Sequence, residues 1–265
     1  MLSRILPALI IFASLPAVSH ALVWDQRGKP STVTFSRGFS GLCVGCDLSN
    51  RPLNNASLSG GNFSGSNFSG SQMRNAEMTG GNFAAARFDR GDLSNSDMNG
   101  SNFVGSAFVG TGLRDIEATG SNFSRADFAG ADMTGSDFVG ANLTAGRFAG
   151  SRGNNADFSG ANLTGAMFMG ATMRDPDFTG AILTGARFES ASMIGADFTG
   201  AVLRGVRVVR SNMRGSDFAG ANLSGADFTG AAGLTRNQID NACGDEATRL
   251  PSGLTIRYCR GRRPR

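Results

Sequence analysis

The feature that most constrains this chain is a bulky apolar residue at every fifth position, without insertion or deletion, from Leu48 to Phe228. The register holds for 37 consecutive units, and only Ala118, Gly153 and Val208 are undersized at the repeated position. A period of five fits neither the 3.6 residues of a helical turn nor the two-residue alternation of a strand. The chain must therefore turn once per unit.

Each unit also places small residues around its bulky centre. Two residues before the centre the residue is usually Ala, Ser or Gly, and two residues after it Gly is the commonest. Units such as Ala161-Asn-Leu-Thr-Gly and Ala226-Asp-Phe-Thr-Gly show the complete pattern. Because glycine adopts positive φ without a steric penalty, the second small position suits a tight corner of the backbone.

A second period, of twenty residues, indicates how many corners close one coil. Met, Asn and Phe each recur at separations that are multiples of twenty. The members are Met73, Met133, Met173, Met193 and Met213, then Asn62, Asn82, Asn102, Asn122, Asn142, Asn162 and Asn222, and then Phe68, Phe88, Phe108, Phe128, Phe148, Phe168, Phe188 and Phe228. Twenty residues therefore make one turn with four sides, and stacked turns place like residues on like.

Such stacking predicts a long, narrow and solid core. Coils that pair as strands pair lie roughly 4.8 Å apart, so nine coils span about 43 Å. Burial of each large centre contributes on the order of 1.5 to 3 kcal/mol before the loss of chain entropy is subtracted.

The unit resembles the A(D/N)LXX pattern of the pentapeptide-repeat protein family, and the resemblance covers residues 48 to about 230. It implies an all-β fold, a right-handed quadrilateral β-helix (solenoid) of about nine coils. Leucine-rich repeats have units of similar length near twenty but lack the inner period of five, and calcium-binding nonapeptide repeats have the wrong period.

Residues 1–21 predict a signal peptide. Arg4 supplies a positive charge, Ile5 to Leu15 form an apolar run, and Ala17-Val-Ser or Ser19-His-Ala offers a small-residue cleavage site. The run is too short to span a bilayer stably, although a retained membrane anchor is the alternative. Polar residues interrupt every later stretch, so the predicted location is periplasmic or secreted.

The segments that flank the repeat predict caps, because an open coil exposes a sheet-like edge that invites aggregation. Residues 22–47 are expected to form an N-terminal cap, and residues 231–265 a C-terminal cap with a basic tail. Thr235 is placed to start a short helix that runs through Asn241. The apolar residues expected to cover the last coil are Leu234, Ile239 and Ala242.

Export would place the four cysteines in an oxidising compartment, where an even count usually means disulfides. We predict the pairs Cys43 with Cys46 and Cys243 with Cys259, since bridged Cα atoms lie within about 7 Å and the rod separates the two caps. The Cys-Val-Gly-Cys string leaves redox chemistry or half of a zinc site as alternatives, without a second such string or a βαβ context.

The formal net charge of +4 is unevenly distributed. Residues 48–230 carry 14 Arg against 16 Asp or Glu, which leaves −2. The positive excess lies at the ends, above all in Arg257, Arg260, Arg262, Arg263 and Arg265. This tail is expected to be solvated, with weak attraction to anionic surfaces as the alternative.

An acidic residue precedes the same bulky centre in eight successive coils, and this set is called the acidic column: Glu77, Asp97, Glu117, Asp137, Asp157, Asp177, Asp197 and Asp217. Adjacent charges about 4.8 Å apart repel by roughly 1 kcal/mol in water. Four of the acids have an Arg three residues earlier, namely Arg74, Arg114, Arg174 and Arg214. This spacing predicts a structural salt-bridge ladder. The alternative is a calcium ion at Asp137 and Asp157, the one adjacent pair without such an Arg.

Gly153 removes one core side chain between Met133 and Met173. Because methionine is flexible and fills irregular gaps, a packed defect is expected, with a ligand cavity as the alternative.

Function is less constrained than shape. Cleavage after His20 or Ala21 removes the only histidine, and such a chain cannot build a Ser-His-Asp, Cys-His or His-ligated metal site. We therefore expect a non-enzymatic structural or protein-interaction scaffold of the cell envelope, with no cofactor, no metal site and no nucleic acid, and with an unknown protein or envelope partner.

Two other functions are kept as alternatives. The resemblance brings in DNA mimicry, because some family members mimic DNA and protect DNA gyrase; this requires a strongly negative rod. The other alternative is a carboxylate-based hydrolase, since carboxylates about 5 Å apart can hydrolyse glycosides. In this chain they are expected on a convex face.

Overall fold

The computed structural model describes residues 19–24, 30–35 and 41–259. Along the repeat, each unit consists of a bridge residue, a buried centre and a two-residue turn. Parallel bridges join residues twenty apart, for example Asn62 to Asn82 and Asp137 to Asp157. The chain therefore returns to the same lateral position every twenty residues, as the second sequence period predicts.

Backbone hydrogen bonds join each coil to the next. The Phe63 N–H donates to the Asn82 carbonyl at 2.7 Å, and the Asn82 N–H donates to the Gly61 carbonyl at 2.8 Å. At the following corner the Gly65 N–H donates to the Ala84 carbonyl at 2.8 Å. This parallel pairing satisfies backbone groups that a narrow coil would otherwise leave without partners.

Where neighbouring bridges are continuous, the described residues form short strands. β1 and β2 pair antiparallel, whereas the later pairs are parallel, with β3, β5, β7 and β8 in one sheet, β4 with β6, and β9 with β10. The strands are β1 (Ser19–Trp24), β2 (Pro30–Phe35), β3 (Thr172–Arg174), β4 (Arg187–Glu189), β5 (Ser192–Ile194), β6 (Arg207–Val209), β7 (Ser211–Asn212), β8 (Ala231–Ala232), β9 (Cys243–Gly244) and β10 (Arg257–Tyr258).

Corners lie two residues after each centre, and the corner residues from Gly45 to Gly225 all have positive φ. Glycine holds most of these corners, as the sequence predicts, and Asn, Asp, Ala, Ser or Arg hold the others. Asn155 with φ 53° and Arg90 with φ 56° are examples of residues that accept a conformation that glycine adopts more easily.

The core is a set of stacked columns in which the bulky centres are buried. Rings in one column lie nearly parallel. The centroids of Phe108 and Phe128 are 5.1 Å apart, and the angle between their ring planes is 5°. Rings in adjacent columns meet at steep angles, as for Phe168 and Phe178 at 6.0 Å and 87°. These are the offset-stacked and edge-to-face arrangements that aromatic pairs prefer.

The second Phe of each coil changes column halfway along the core. It stands in one column at Phe63, Phe83, Phe103 and Phe123, and in the adjacent column at Phe138, Phe158, Phe178, Phe198 and Phe218. Phe123 and Phe138 meet edge-on, with centroids 5.6 Å apart at 75°. Ala118 occupies the coil position before Phe138 in the new column, so its small side chain offsets the added ring volume at the change.

Buried serines at the small position also connect the coils. Ser101 Oγ donates to the Met78 carbonyl at 2.6 Å, and Ser121 Oγ donates to the Met98 carbonyl at 2.6 Å. In the sequence, this position is distinguished only by its small residues. Serine adds a hydrogen bond between coils there, because the hydroxyl faces a carbonyl 23 residues earlier in the chain.

A short helix, α1 (Arg236–Ile239), closes the C-terminal end of the repeat. It starts after Thr235 as predicted, but the expectation that it runs through Asn241 is wrong. The helix ends early because backbone N–H groups of the last coil take carbonyls of this segment as hydrogen-bond acceptors. The Phe218 N–H donates to the Gln238 carbonyl at 3.1 Å, and the Gly220 N–H donates to the Asn241 carbonyl at 3.0 Å. Ile239 is buried against the core.

Within the described residues, no helix has the length and apolar character needed to cross a membrane.

Candidate functional site

The acidic column is the most regular charged feature of the outer surface. Its eight acids precede the centres of one column, and bridges pair each of them with the acid of the next coil, from Glu77 with Asp97 to Asp197 with Asp217. The residues that follow these acids at the corners, from Gly80 to Gly220, are all glycine. The column therefore lies on a narrow surface without bulky neighbours.

Most of these carboxylates are held by the backbone of their own unit. Asp137 Oδ1 accepts the Val139 N–H at 2.7 Å, and Asp177 Oδ1 accepts the Thr179 N–H at 2.7 Å. Asp157 Oδ1 accepts the Ser159 N–H at 2.8 Å. This two-residue contact explains why Asp or Asn suits the position before each centre, since both offer an oxygen to the turn. Sequence reasoning missed this role.

The predicted salt-bridge ladder is wrong. Arg74 Nε lies 2.5 Å from Asp92 Oδ2, and Arg114 Nη2 lies 2.6 Å from Asp132 Oδ2, so neither guanidinium pairs with the acidic column. The corner explains the difference: Asn75, with φ 55°, turns the chain between Arg74 and the acid three residues later. Arg74 and Arg114 each reach the acid eighteen residues later, in the next coil.

None of the eight acids makes an ion pair with a described residue, and neither Arg174 nor Arg214 does. Contacts along the column come from neutral groups: Asn99 Nδ2 donates to Glu117 Oε2 at 3.3 Å, and Thr119 Oγ1 donates to Asp137 Oδ1 at 3.3 Å. The column is thus a line of carboxylates without basic partners in the described part of the chain.

The alternative of a calcium ion at Asp137 and Asp157 finds no further ligands. In the part of the chain that the structure describes, no three His, Cys, Asp or Glu side chains are grouped so that they could hold a metal ion. A calcium site needs six or more oxygen ligands.

The pKa of Asp132 lies below its usual range. Partial burial is the largest influence and opposes ionisation, but hydrogen bonds from Thr134 and Arg114 and the charge of Arg114 together outweigh it. Asp92 has a lowered pKa for the corresponding reasons, with Ser94 and Arg74 as its partners.

These shifts predict an acid-dependent loss of stability. Since the folded pKa of Asp132 lies below its ordinary value of 3.8, its ionisation stabilises the fold fully above that pH. The stabilisation is lost as the pH falls through the lower folded pKa. We expect the stability difference between the protein and Asp132→Asn to be constant near neutral pH and to shrink as the pH falls below 3.8. Urea unfolding at a series of pH values measures it; a difference that grows towards low pH contradicts the assignment.

The acidic column also predicts a stabilising substitution. In another column Asn fills the same position, and Asn82 Nδ2 donates to Asn62 Oδ1 at 3.0 Å while Asn62 Oδ1 accepts the Ser64 N–H at 3.2 Å. Replacing Asp137 and Asp157 together with Asn should keep the turn contact. It should also remove three repulsions between adjacent acids of the column, each roughly 1 kcal/mol at low salt. The gain in unfolding free energy should diminish at high salt because the charges are screened.

The reverse pair, Asn102→Asp with Asn122→Asp, is the matched control. It creates a single repulsion between adjacent acids and should lose roughly 1 kcal/mol of stability at low salt. Denaturant unfolding at two salt concentrations measures both variants. If the Asp-to-Asn pair were less stable than the parent at low salt, the repulsion would not govern this surface.

The four cysteines form the expected pairs. Cys43 and Cys46 lie in the first described coil rather than in a cap before the repeat, because Leu42 bridges Asn62 and Gly45 has the positive φ of a corner. Cys43 and Cys46 are bonded with their Cα atoms 5.5 Å apart, and Cys243 and Cys259 are bonded with theirs 4.7 Å apart. The second bond joins Cys243 in β9 to Cys259, the residue that follows β10. The Cys243 carbonyl accepts the Leu223 N–H of the last coil at 2.7 Å. The disulfide thus fastens the segment that covers the end of the β-helix.

Gly153 does not open a cavity. A Cβ atom at Gly153 would lie 3.2 Å from the Met173 Cε and Sδ atoms, so the methionine of the next coil fills the space. The packed defect expected from the sequence is what the structure has.

Residues 43–80, 82–115 and 196–231 match the family described as Pentapeptide repeats (8 copies). The description Pentapeptide repeat region matches residues 121–198. No curated protein matches the sequence significantly.

Among solved structures, QnrB1, a plasmid-mediated fluoroquinolone resistance protein, is 18% identical over 78% of this chain and 92% of its own, with a TM-score of 0.52. HetL, a pentapeptide repeat protein involved in heterocyst differentiation regulation in the cyanobacterium Nostoc, is 23% identical over 83% and 93%, with a TM-score of 0.48. A pentapeptide repeat protein from the Arabidopsis thaliana thylakoid lumen is 33% identical over 44% and 80%, with a TM-score of 0.24. The similarity to QnrB1 supports the β-helix fold alone.

Proposed function

Because the chain belongs to the pentapeptide-repeat family, we propose that it is an exported, non-enzymatic scaffold that presents the faces of its β-helix to a partner in the cell envelope. The observation that carries the proposal is the unbroken series of parallel bridges from Leu42 to Asn222, without an inserted loop. Binding and catalytic groups usually stand on loops or in concavities. In the repeat, the faces themselves have to make the contacts.

The finer shape forms part of the proposal: a right-handed, four-sided coil with about nine turns. Four five-residue units separate each pair of bridged residues, which supports four sides. A rod of about 43 Å follows from a rise of roughly 4.8 Å per turn. Small-angle X-ray scattering of the purified protein measures this length, and a compact, nearly spherical particle would contradict it.

Export rests on the sequence features of residues 1–21. Residues 1–18 of this segment lie outside the described residues, and Ser19, His20 and Ala21 lie in β1. Cysteines bonded near each end of the β-helix, Cys43 to Cys46 and Cys243 to Cys259, suit an oxidising compartment. Cell fractionation with N-terminal sequencing tests it: a mature chain that starts near residue 22 outside the cytoplasm is expected, and a full-length cytosolic chain would refute export.

A partner can be sought by proximity labelling in the native envelope. Labelled neighbours should be lost from a variant in which Asp137, Asp157 and Asp177 are replaced by Asn, if the acidic column makes the contact. Replacing Asn102, Asn122 and Asn142 with Gln on another column is the matched control.

Turnover of a hydrolase substrate by the purified protein would refute the non-enzymatic part of the proposal.

The acidic column favours DNA mimicry as the second candidate. Eight carboxylates that have no basic partner within the described part of the chain form a line that could compete for a basic groove. Against it, residues 48–230 have a net charge of only −2. A DNA gyrase supercoiling assay with a quinolone decides between them: relief of inhibition by the purified protein would rank mimicry first.

A further inference from the structure

A polar depression of about 470 Å³ lies on the outer surface near the N-terminal end of the repeat. The side chains that line it are Ser49, Asn50, Asn67, Ser69, Arg87 and Arg90. All of them can donate hydrogen bonds, and none of the described residues in the lining is acidic. Such a lining suits a ligand that is rich in acceptor oxygens.

Arg90 occupies a corner where a side chain is conformationally unfavourable. Its φ is 56°, whereas the preceding and following coils have Gly70 and Gly110 at this corner. Its guanidinium makes no ion pair or hydrogen bond with any residue that the structure describes. An arginine with a backbone conformation that glycine prefers, and without a partner, is free to bind a ligand.

Arg87 and Ser69 supply further donors. Arg87 Nε and Nη2 both donate to Asp89 Oδ2, at 3.1 and 2.8 Å, which leaves Nη1 available. Asp89 is 8% exposed, and its Oδ1 accepts the Val109 N–H at 3.1 Å, so both of its carboxylate oxygens have partners. Ser69 Oγ is buried and has no hydrogen-bond partner among the described residues.

An adjoining depression of about 440 Å³ provides a contrast. Arg74 and Asp92 line it and pair with each other at 2.5 Å. The carboxylate of Asp92 would repel an anion there. Both depressions contain Arg90, but only the first has no acidic residue in its lining, so the first is the better anion site.

We propose that the first depression, which Arg87 and Arg90 line, binds the oxyanion of a phosphate or sulfate group. Arg90 and Arg87 are its cationic donors, and the Ser69 hydroxyl is a neutral donor. A planar guanidinium matches the geometry of such an oxyanion. Because the depression has room beyond one oxyanion, the group is carried on a larger polar molecule, and inorganic phosphate is the minimal probe.

Isothermal titration of the purified protein with inorganic phosphate, at constant ionic strength, tests the site. Arg90→Gly should weaken phosphate binding at least tenfold. The matched control is Arg125→Gly, since Arg125 also lies at a corner, with φ 60°, but does not line the depression. Both variants should fold, as judged by circular dichroism, because glycine prefers this backbone conformation.

Ser69→Ala is the second variant and should weaken binding less than Arg90→Gly. Parallel titrations with glycerol 3-phosphate distinguish the sources: equal affinity assigns recognition to the oxyanion alone, and tighter binding assigns it to a phosphate monoester of a larger molecule. Equal heats from phosphate and chloride, or equal phosphate affinity in Arg90→Gly and Arg125→Gly, would overturn the proposal.

Discussion

Replacing Phe128 with alanine should lower the free energy of unfolding by about 3 to 5 kcal/mol, the range for truncating a buried aromatic side chain. Phe128 stacks on Phe108 and Phe148 with centroids 5.1 and 5.0 Å apart, and it meets Phe123 and Phe138 at 5.6 and 6.1 Å. It lies where the second Phe changes column, so four rings lose a neighbour. The backbone pairing between coils leaves little freedom to collapse around the cavity.

Phe128→Leu is the matched control, because Leu fills centres elsewhere in the core, as at Leu143 and Leu163. It should cost clearly less than the alanine variant. Urea unfolding followed by circular dichroism measures both changes. A loss of less than about 1 kcal/mol for Phe128→Ala would mean that the column is not closely packed.

The second large effect is expected at the C-terminal disulfide. Replacing Cys243 and Cys259 with Ser opens a loop with a sequence separation of 16 and should cost about 3 kcal/mol in the chain-entropy model. The segment that it fastens covers the last coil, where the Phe228 N–H donates to the Arg249 carbonyl at 2.8 Å. Its release would expose the edge of the coil, so the variant should also aggregate more readily.

Replacing Cys43 and Cys46 with Ser is the control for this experiment. Its sequence separation is 3, so the same model assigns it a loss smaller by about 1.5 kcal/mol. Thermal unfolding with and without reductant, together with light scattering, measures both variants. If the N-terminal variant were the less stable one, the account of the C-terminal segment as a cover would be wrong.

The repeat could be predicted because one environment recurs along the whole chain. A buried centre such as Phe63 stacks on Phe83, twenty residues later. The five-residue pattern therefore specifies the inward positions, and the twenty-residue pattern specifies how they stack. The corners followed for the same reason, since each needs positive φ. Repetition turns a weak local signal into a strong one.

The outer surface was harder to predict because it depends on which side of a corner a residue occupies. Sequence spacing placed Arg74 beside Glu77, yet Arg74 reaches Asp92 across to the next coil. The depression beside Arg90 had no sequence signal except an arginine where Gly is usual. Side-chain partners on a solenoid therefore require the three-dimensional stacking as well as the period.

Pairing at a fixed separation of twenty residues, as between Asn142 and Asn162, has a consequence for how such a chain can change in length. Removing one residue would move every later centre out of its column, and removing five would rotate the C-terminal segment by one side relative to the coils before it. Removing twenty would shorten the rod by roughly 4.8 Å and leave every column aligned. Length in this molecule is therefore quantised: viable insertions and deletions come in whole coils.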